Sequence, residues 1–287
     1  MVQVQKVAII GLGLIGGSLG LALLKRGLAE TVVGIPRRAE TIDEALALGA
    51  ITKGTLTLVD GVRNADLVFI CTPIPLIIPT LNEILPHLKK GAVVTDVGST
   101  KGWIMEEVEK LNLDGVSFFG GHPMAGKEKT GVLQAEANLF LNRPYVLVKP
   151  PKFNLLALNA LKKIITGIGG KIMEIDAQSH DLAVAAISHL PIMVAASLVN
   201  AVNDMELVRN HARQLASTGF FDTTRVASGD PKLGLDIFCT NTESVLEVLA
   251  KFKQEIEVFE KALKERDEVQ IVNKLAEAKK FRDEIYS

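Results

Sequence analysis

The stretch Lys6-Val7-Ala8-Ile9-Ile10-Gly11-Leu12-Gly13-Leu14-Ile15-Gly16 reads as a short apolar, β-branched strand that runs straight into glycines spaced GxGxxG, and residues 18–26 continue as a helix closed by Gly27. A lone GxGxxG is a weak signal. One that follows a strand, opens a helix and begins a βαβ unit of about thirty residues is the dinucleotide-binding fingerprint. Gly11 permits the tight turn, Gly13 lets the main chain approach a pyrophosphate, and Gly16 lets helix and strand pack closely. The first-turn N–H groups around Leu14, Ile15 and Gly16 and the helix dipole favour an anion there.

Working outward, the pattern predicts strands at 31–35, 67–70, 92–97, 118–119, 145–148 and 171–175, with helices at 39–48, 77–87, 104–110 and 155–168 between them. Such alternation argues for a parallel sheet covered by helices, an α/β, Rossmann-type doubly wound domain. From Ser179 the texture changes to long helical patterns at 180–203, 206–217, 233–264 and 267–286. Glycine marks the same change, because 21 of the 24 glycines lie in the first 170 residues, and glycine suits tight turns but weakens helix interiors. The expected organisation is a dinucleotide-binding domain at 1–177 and an all-helical substrate and dimerisation domain at 178–287.

The segment 182–202 has no formally charged residue and is long enough to span a bilayer. It also carries Ser188, His189, Pro191 and Asn200 and lacks flanking basic and aromatic anchors, so it reads as a helix buried all round in a core or a subunit interface. Long helices with this much apolar face predict a homodimer through the helical domain.

Composition narrows the function. With 32 basic against 33 acidic residues and no basic block, nothing suggests nucleic-acid binding. Cys71 and Cys239 lie far apart without metal-ligand spacing, which indicates neither a disulfide framework nor a metal site. No secretory leader is visible ahead of the first strand, and a cytoplasmic enzyme is the expectation.

The end of the second strand bears on the nucleotide. An NAD-binding unit usually carries an acid about twenty residues after the motif to hold the ribose 2′-hydroxyl, whereas this chain reads Gly34-Ile35-Pro36-Arg37-Arg38. Arg37 and Arg38 suit a 2′-phosphate, which favours NADP over NAD; the alternative is that one or both are solvated loop residues. Thr72 and Pro73, at the carboxyl end of the 67–70 strand, fall where the nicotinamide would lie. Cys71 beside them reads as a small buried hydrophobe.

Three further stretches join polar residues to tight backbone: Asp96-Val97-Gly98-Ser99-Thr100-Lys101-Gly102, Gly120-Gly121-His122-Pro123-Met124-Ala125-Gly126 and Ile187-Ser188-His189-Leu190-Pro191. With Phe220-Phe221-Asp222-Thr223-Thr224-Arg225 downstream, the chain resembles the prephenate and arogenate dehydrogenases of tyrosine biosynthesis over nearly its whole length. The resemblance implies an oxidative decarboxylation: hydride leaves ring carbon 4 for a nicotinamide, the 4-hydroxyl loses its proton, and the ring carboxylate departs as carbon dioxide. It implies His122 as the catalytic histidine, Ser99 as the serine that orients it, and Arg225 as the arginine on a substrate carboxylate. Ser188 and His189 match pocket-lining positions, and Glu128 is a candidate ammonium partner. Read without the resemblance, the alternatives are His189 as a hydrogen-bonded core histidine, Arg225 as a surface partner of Asp222 or Asp230, and His180 and Asp181 as part of a helix start with Ser179 as a candidate N-cap.

Departures from the pattern bear on the substrate. Many prephenate-preferring members carry a second histidine after the proline, where this chain has Ile192, and often a basic residue where it has Phe221. Fewer cationic side chains suit the ammonium of arogenate over the keto group of prephenate, as in the NADP-dependent cyanobacterial type. The expected activity is therefore arogenate dehydrogenation with NADP. Alternatives are prephenate dehydrogenation with NAD or NADP, a β-hydroxyacid dehydrogenase, for which no catalytic-lysine motif is found in the helical half, and a non-catalytic NADP sensor.

Overall fold

A computed structural model describes residues 4–127 and 129–286. The first domain is an eight-stranded sheet in the order β3-β2-β1-β4-β5-β6-β7-β8. Its strands are β1 (Val4–Ile10), β2 (Ala29–Ile35), β3 (Lys53–Gly54), β4 (Leu67–Ile70), β5 (Val93–Asp96), β6 (Ser117–Pro123), β7 (Pro144–Val148) and β8 (Lys171–Glu174). Helices α1 (Leu14–Lys25), α2 (Ala39–Leu48), α3 (Leu58–Val62), α4 (Ile74–Ile84), α5 (Gly102–Glu109) and α6 (Leu155–Gly167) cover it. The second half of β1, Val7–Ile10, and all of β4 are buried on both faces, which is why they are unbroken apolar runs: Ile9 and Phe69, with Phe119 of β6, pack into one core layer, and Ala8, Ile10 and Val68, with Phe118 of β6, into the other.

All the pairings are parallel except that of β6 with β7, which is antiparallel. A parallel return needs a crossover, usually a helix. Among its described residues the β6–β7 connection instead has the 3-10 turn Val132–Gln134, packed on α1, where a Cβ on Gly17 would meet Ala135 and Val132.

The second domain comprises α7 (Ala177–Val184), α8 (Leu190–Asp204), α9 (Glu206–Leu215), α10 (Thr218–Thr224), α11 (Pro231–Thr240), α12 (Thr242–Glu265) and α13 (Glu268–Tyr286). The expected helix at 233–264 is two helices, broken at Asn241. The short elements β3, α3 and α10 escape a reading by periodicity because none spans enough residues to show a face. The cap of α7 is Asp176, whose carboxylate accepts the Ser179 N–H at 2.8 Å, so Ser179 is the residue capped and not the cap.

Between α7 and α8 the chain widens into a π turn at Ala185–His189. Pro191 has no N–H for the carbonyl four residues back, and a π turn accommodates such a break while the axis continues. His189 is thereby 1% exposed while Ile187 is 65% exposed. Of the two places the sequence allowed this helix, a core or a subunit interface, the core of the single chain buries α8 at Ala195. Ala177–Asp204 is long and apolar enough to cross a membrane by length and composition.

Candidate active site

The glycine turn is built as its spacing requires. Gly11 has φ +92°, and a Cβ there would lie 2.5 Å from the Cys71 carbonyl oxygen; at Gly16 it would lie 2.1 Å from the Gly11 oxygen. Gly13 differs, because a Cβ there would meet nothing within 4 Å, so its main chain borders open space that a ligand can approach. Gly13 is also the N-cap of α1 and offers no side chain to the helix end, which leaves the first-turn N–H groups for an anion. Gly11 N–H donates to Ile35 O at 3.0 Å, which joins the turn to the end of β2, and the exposed Arg37 and Arg38 follow directly. On the other side the Cys71 N–H donates to Ile10 O at 2.7 Å, setting Thr72 and Pro73 beside Gly11. Thr72 Oγ1 is buried without a hydrogen-bond partner, as a group awaiting a polar ligand would be. These residues fit a dinucleotide. Burial, with Asp96 nearby, pushes the Cys71 thiol pKa far up, which suits an inert packing residue and not a nucleophile.

The loop after β5 and the strand β6 carry the second half of the crevice. Alternation along β6 gives Phe118, Gly120 and His122 one face and Phe119 and Gly121 the other. Lys101 and Asp96 form a fully buried ion pair, and the Asp96 carboxylate also accepts the N–H groups of Gly98 at 2.8 Å and Gly121 at 3.0 Å. The two glycines of β6 allow close packing beside this pair: a Cβ on Gly120 would lie 2.9 Å from Met105 Sδ and 3.1 Å from Lys101 Cδ, and one on Gly121 2.4 Å from the main-chain carbonyl oxygen of Asp96 on β5. Burial lowers the Lys101 pKa, against the raising influence of Asp96 and Asp181.

His122 is half-buried. Its Nδ1 lies 2.9 Å from His180 Nε2, and His180 Nδ1 lies 2.7 Å from Asp181 Oδ1. Asp181 reaches across from α7 to accept the N–H of Lys101 at 2.7 Å and of Gly102 at 2.7 Å, and so caps α5, whose own N-cap side chain makes no such bond. Burial, then the neighbouring His180, Lys101 and His189, hold the His122 pKa well below the usual histidine value. Burial also brings His189 down to about 4, against the pull of Asp181. Asn241 Nδ2 donates to Asp181 O at 2.8 Å and lies 3.3 Å from His189 Nδ1. Because a carbonyl only accepts, that atom is the amide nitrogen, so Nδ1 of His189 is its acceptor and the ring's proton sits on Nε2.

The structure thus brings His122 and His189 into one buried polar cluster. Ser99 lies half-buried in the loop that carries Lys101, and Ser188 is half-buried on the π turn. Among the described residues the hydrogen-bond partner of the His122 ring is the His180 ring, in the place where the resemblance implied Ser99. Arg225 is exposed on the 3-10 turn Arg225–Ser228 after α10. Glu128 lies outside the described residues. His180 and Asp181, read from sequence as a helix start, are 2% and 4% exposed and belong to the cluster. Lys101, Asp96 and Asn241 were also missed; the available signal was an adjacent His-Asp pair opening a helix that is otherwise uncharged for its next twenty positions.

A nucleotide cradle at the carboxyl ends of β1 and β4, and a histidine kept neutral at the end of β6, define a nicotinamide-dependent dehydrogenase closed by a helical domain. The family described as "Prephenate dehydrogenase, nucleotide-binding domain" matches residues 19–174, and "Prephenate dehydrogenase, dimerization domain" matches 176–277. The chain is 33% identical to the prephenate dehydrogenase of Bacillus subtilis over 96% of its own length and 75% of the relative's. Among solved structures, Synechocystis arogenate dehydrogenase is 36% identical with a TM-score of 0.85, covering 98% of this chain and all of that one. Prephenate dehydrogenase from A. aeolicus, in complex with hydroxyphenyl propionate and NAD+, is 31% identical with a TM-score of 0.91 over 98% of both chains. The chain belongs to the prephenate dehydrogenase family and is an oxidoreductase.

Proposed function

We propose that the protein is a cytoplasmic, homodimeric enzyme of tyrosine biosynthesis that converts arogenate to tyrosine with NADP. The observation that carries the catalytic reading is His122, an imidazole kept neutral by burial and by its neighbours His180, Lys101 and His189, at the end of strand β6. A neutral imidazole is the form that takes a proton. His122 accepts the proton of the ring 4-hydroxyl, Arg225 holds a substrate carboxylate with its planar fork, and Ser99, Ser188, His189 and Glu128 complete the pocket across the boundary near residue 177. The cradle of Gly11, Gly13, Leu14, Ile15, Gly16, Thr72 and Pro73 holds the nicotinamide nucleotide, which supplies the acceptor for the hydride leaving ring carbon 4. The carboxylate then leaves as carbon dioxide and the ring oxygen regains a proton as the ring becomes aromatic.

Arg37 and Arg38 at the end of β2, where an acid would hold a 2′-hydroxyl, support NADP. Ile192 and Phe221, which add no cation to the pocket, support arogenate, as does the likeness to the Synechocystis enzyme. Prephenate with NAD is the second reading, favoured by the Bacillus subtilis relative and the NAD+ complex.

Steady-state rates with arogenate and prephenate, each with NAD and NADP, test both levels. The expected result is the highest kcat/KM with arogenate and NADP, and Arg37→Ala weakens NADP roughly 10- to 100-fold, the loss of one hydrogen bond to a charged group, while sparing NAD. Equal losses on both nucleotides remove the 2′-phosphate role. Soluble protein that reduces neither nucleotide with either substrate removes the dehydrogenase reading and leaves the sensor.

A further inference from the structure

Asp181, His180 and His122 form a continuous chain of polar contacts, and each link restricts where protons sit. Both Asp181 oxygens already accept main-chain N–H groups, Oδ1 from Lys101 and Oδ2 from Gly102. The carboxylate is an acceptor only, so His180 Nδ1, 2.7 Å away, carries the proton of that contact. In the neutral His180 ring the lone pair then falls on Nε2, which lies 2.9 Å from His122 Nδ1. His122 must therefore donate from Nδ1, and its lone pair is left on Nε2, the nitrogen this chain of contacts does not use. Asn241 gives His189 the opposite arrangement, an Nδ1 acceptor and an Nε2–H. Nothing local to β6 would make this choice, because a free imidazole distributes its proton between the two nitrogens.

We infer that Asp181 and His180 are positioning residues that fix His122 in the Nδ1-protonated form and so present Nε2 as the proton acceptor. Asp181 performs a second task with the same carboxylate, since capping α5 ties the two domains together at that point. The helical domain thereby sets the protonation of a histidine carried by the sheet. This inference rests on the proposed catalytic role of His122, but the direct measurement does not require turnover.

The tautomer is read by long-range 1H–15N correlation of the histidine rings in the full-length protein, with His122 assigned from the spectrum of His122→Asn. The expected pattern is an Nδ1-bound proton on His122, and an Nε2-bound proton overturns the inference whatever the enzyme's substrate. Two variants test the consequence. His180→Phe removes the acceptor and is expected to lower kcat by about 10- to 1,000-fold, within the range that positioned proton transfer contributes, while KM for substrate and nucleotide stays within a few-fold. His180→Gln can place an amide oxygen near the former Nε2 and is expected to recover at least about tenfold of that loss, which a purely structural role would not produce. A folded His180→Phe with kcat unchanged, or a His180→Gln no better than His180→Phe, overturns the inference. If His180→Phe does not fold, the tautomer in the unsubstituted protein decides. Absence of turnover in the unsubstituted protein with every substrate would instead overturn the dehydrogenase reading.

Discussion

At the scale of single residues, the site depends on keeping imidazoles neutral in a place where charges are close by. His122 has Lys101, His180 and His189 as neighbours and is largely shielded from water, and each of these opposes its protonation. Its conjugate acid therefore forms only at a pH well below the ordinary 6.5. Turnover falls as pH drops through that depressed value, so the acid limb of kcat lies below the usual histidine range. His122→Asn keeps a polar side chain of similar reach but has no group that titrates. Its kcat is expected to fall roughly 100- to 10,000-fold with nucleotide binding retained. Near-normal turnover, or an acid limb unchanged in the residual rate, would take His122 out of proton transfer.

At the scale of elements, the meeting of β5, β6 and α5 depends on one buried ion pair. Lys101 and Asp96 are both inaccessible to solvent, and Asp96 also ties the loop at Gly98 to the strand at Gly121. Removing one partner leaves an uncompensated charge in the core, which costs about 3–5 kcal/mol. Lys101→Met, similar in length and uncharged, is expected to lower folding stability by about that amount in urea melts. Replacing both, Lys101→Met with Asp96→Asn, is expected to cost less than the single change. A single variant with an unchanged urea midpoint would mean that the pair contributes nothing net. The glycines of β6 have a specific role beside the pair, since a side chain on Gly120 would crowd Met105 and the Lys101 stem and one on Gly121 would meet the main-chain carbonyl of Asp96.

At the scale of the whole molecule, the helical domain exposes more apolar surface than a lone chain tolerates. Leu207 is 93% exposed, Leu215 78%, Val269 71% and Phe281 65%. Exposed patches rimmed by polar residues mark interaction surfaces, and α8, whose sequence suggested burial on all sides, is buried at Ala195 alone in the single chain. A second copy is the proposed cover, in keeping with the dimerization domain matched at 176–277. Sedimentation equilibrium is expected to give twice the chain mass, and Leu207→Glu with Phe281→Glu should shift the protein toward monomer. Chain-mass particles at micromolar concentration of the unsubstituted protein would contradict it.

Much of this was legible in the sequence, for reasons that differ by feature. The glycine turn and the central strands were readable because their causes are local: a φ of +92° at Gly11 demands glycine, and strands buried on both faces must be continuously apolar. The motif around His122 was readable because its spacing is specific. His180 and Asp181 were misread as a helix start, since their roles depend on α5 and β6, 79 and 58 positions away in the chain. Lys101 was not singled out because its partner Asp96 lies five positions away, and nothing in a loop's sequence announces complete burial. Sequence alone determined the parallel sheet followed by helices, the glycine turn after the first strand and the motif that carries His122. Only the tertiary structure decided how that histidine is held, because hydrogen bonds and desolvation are set by distances between groups that the chain order keeps far apart.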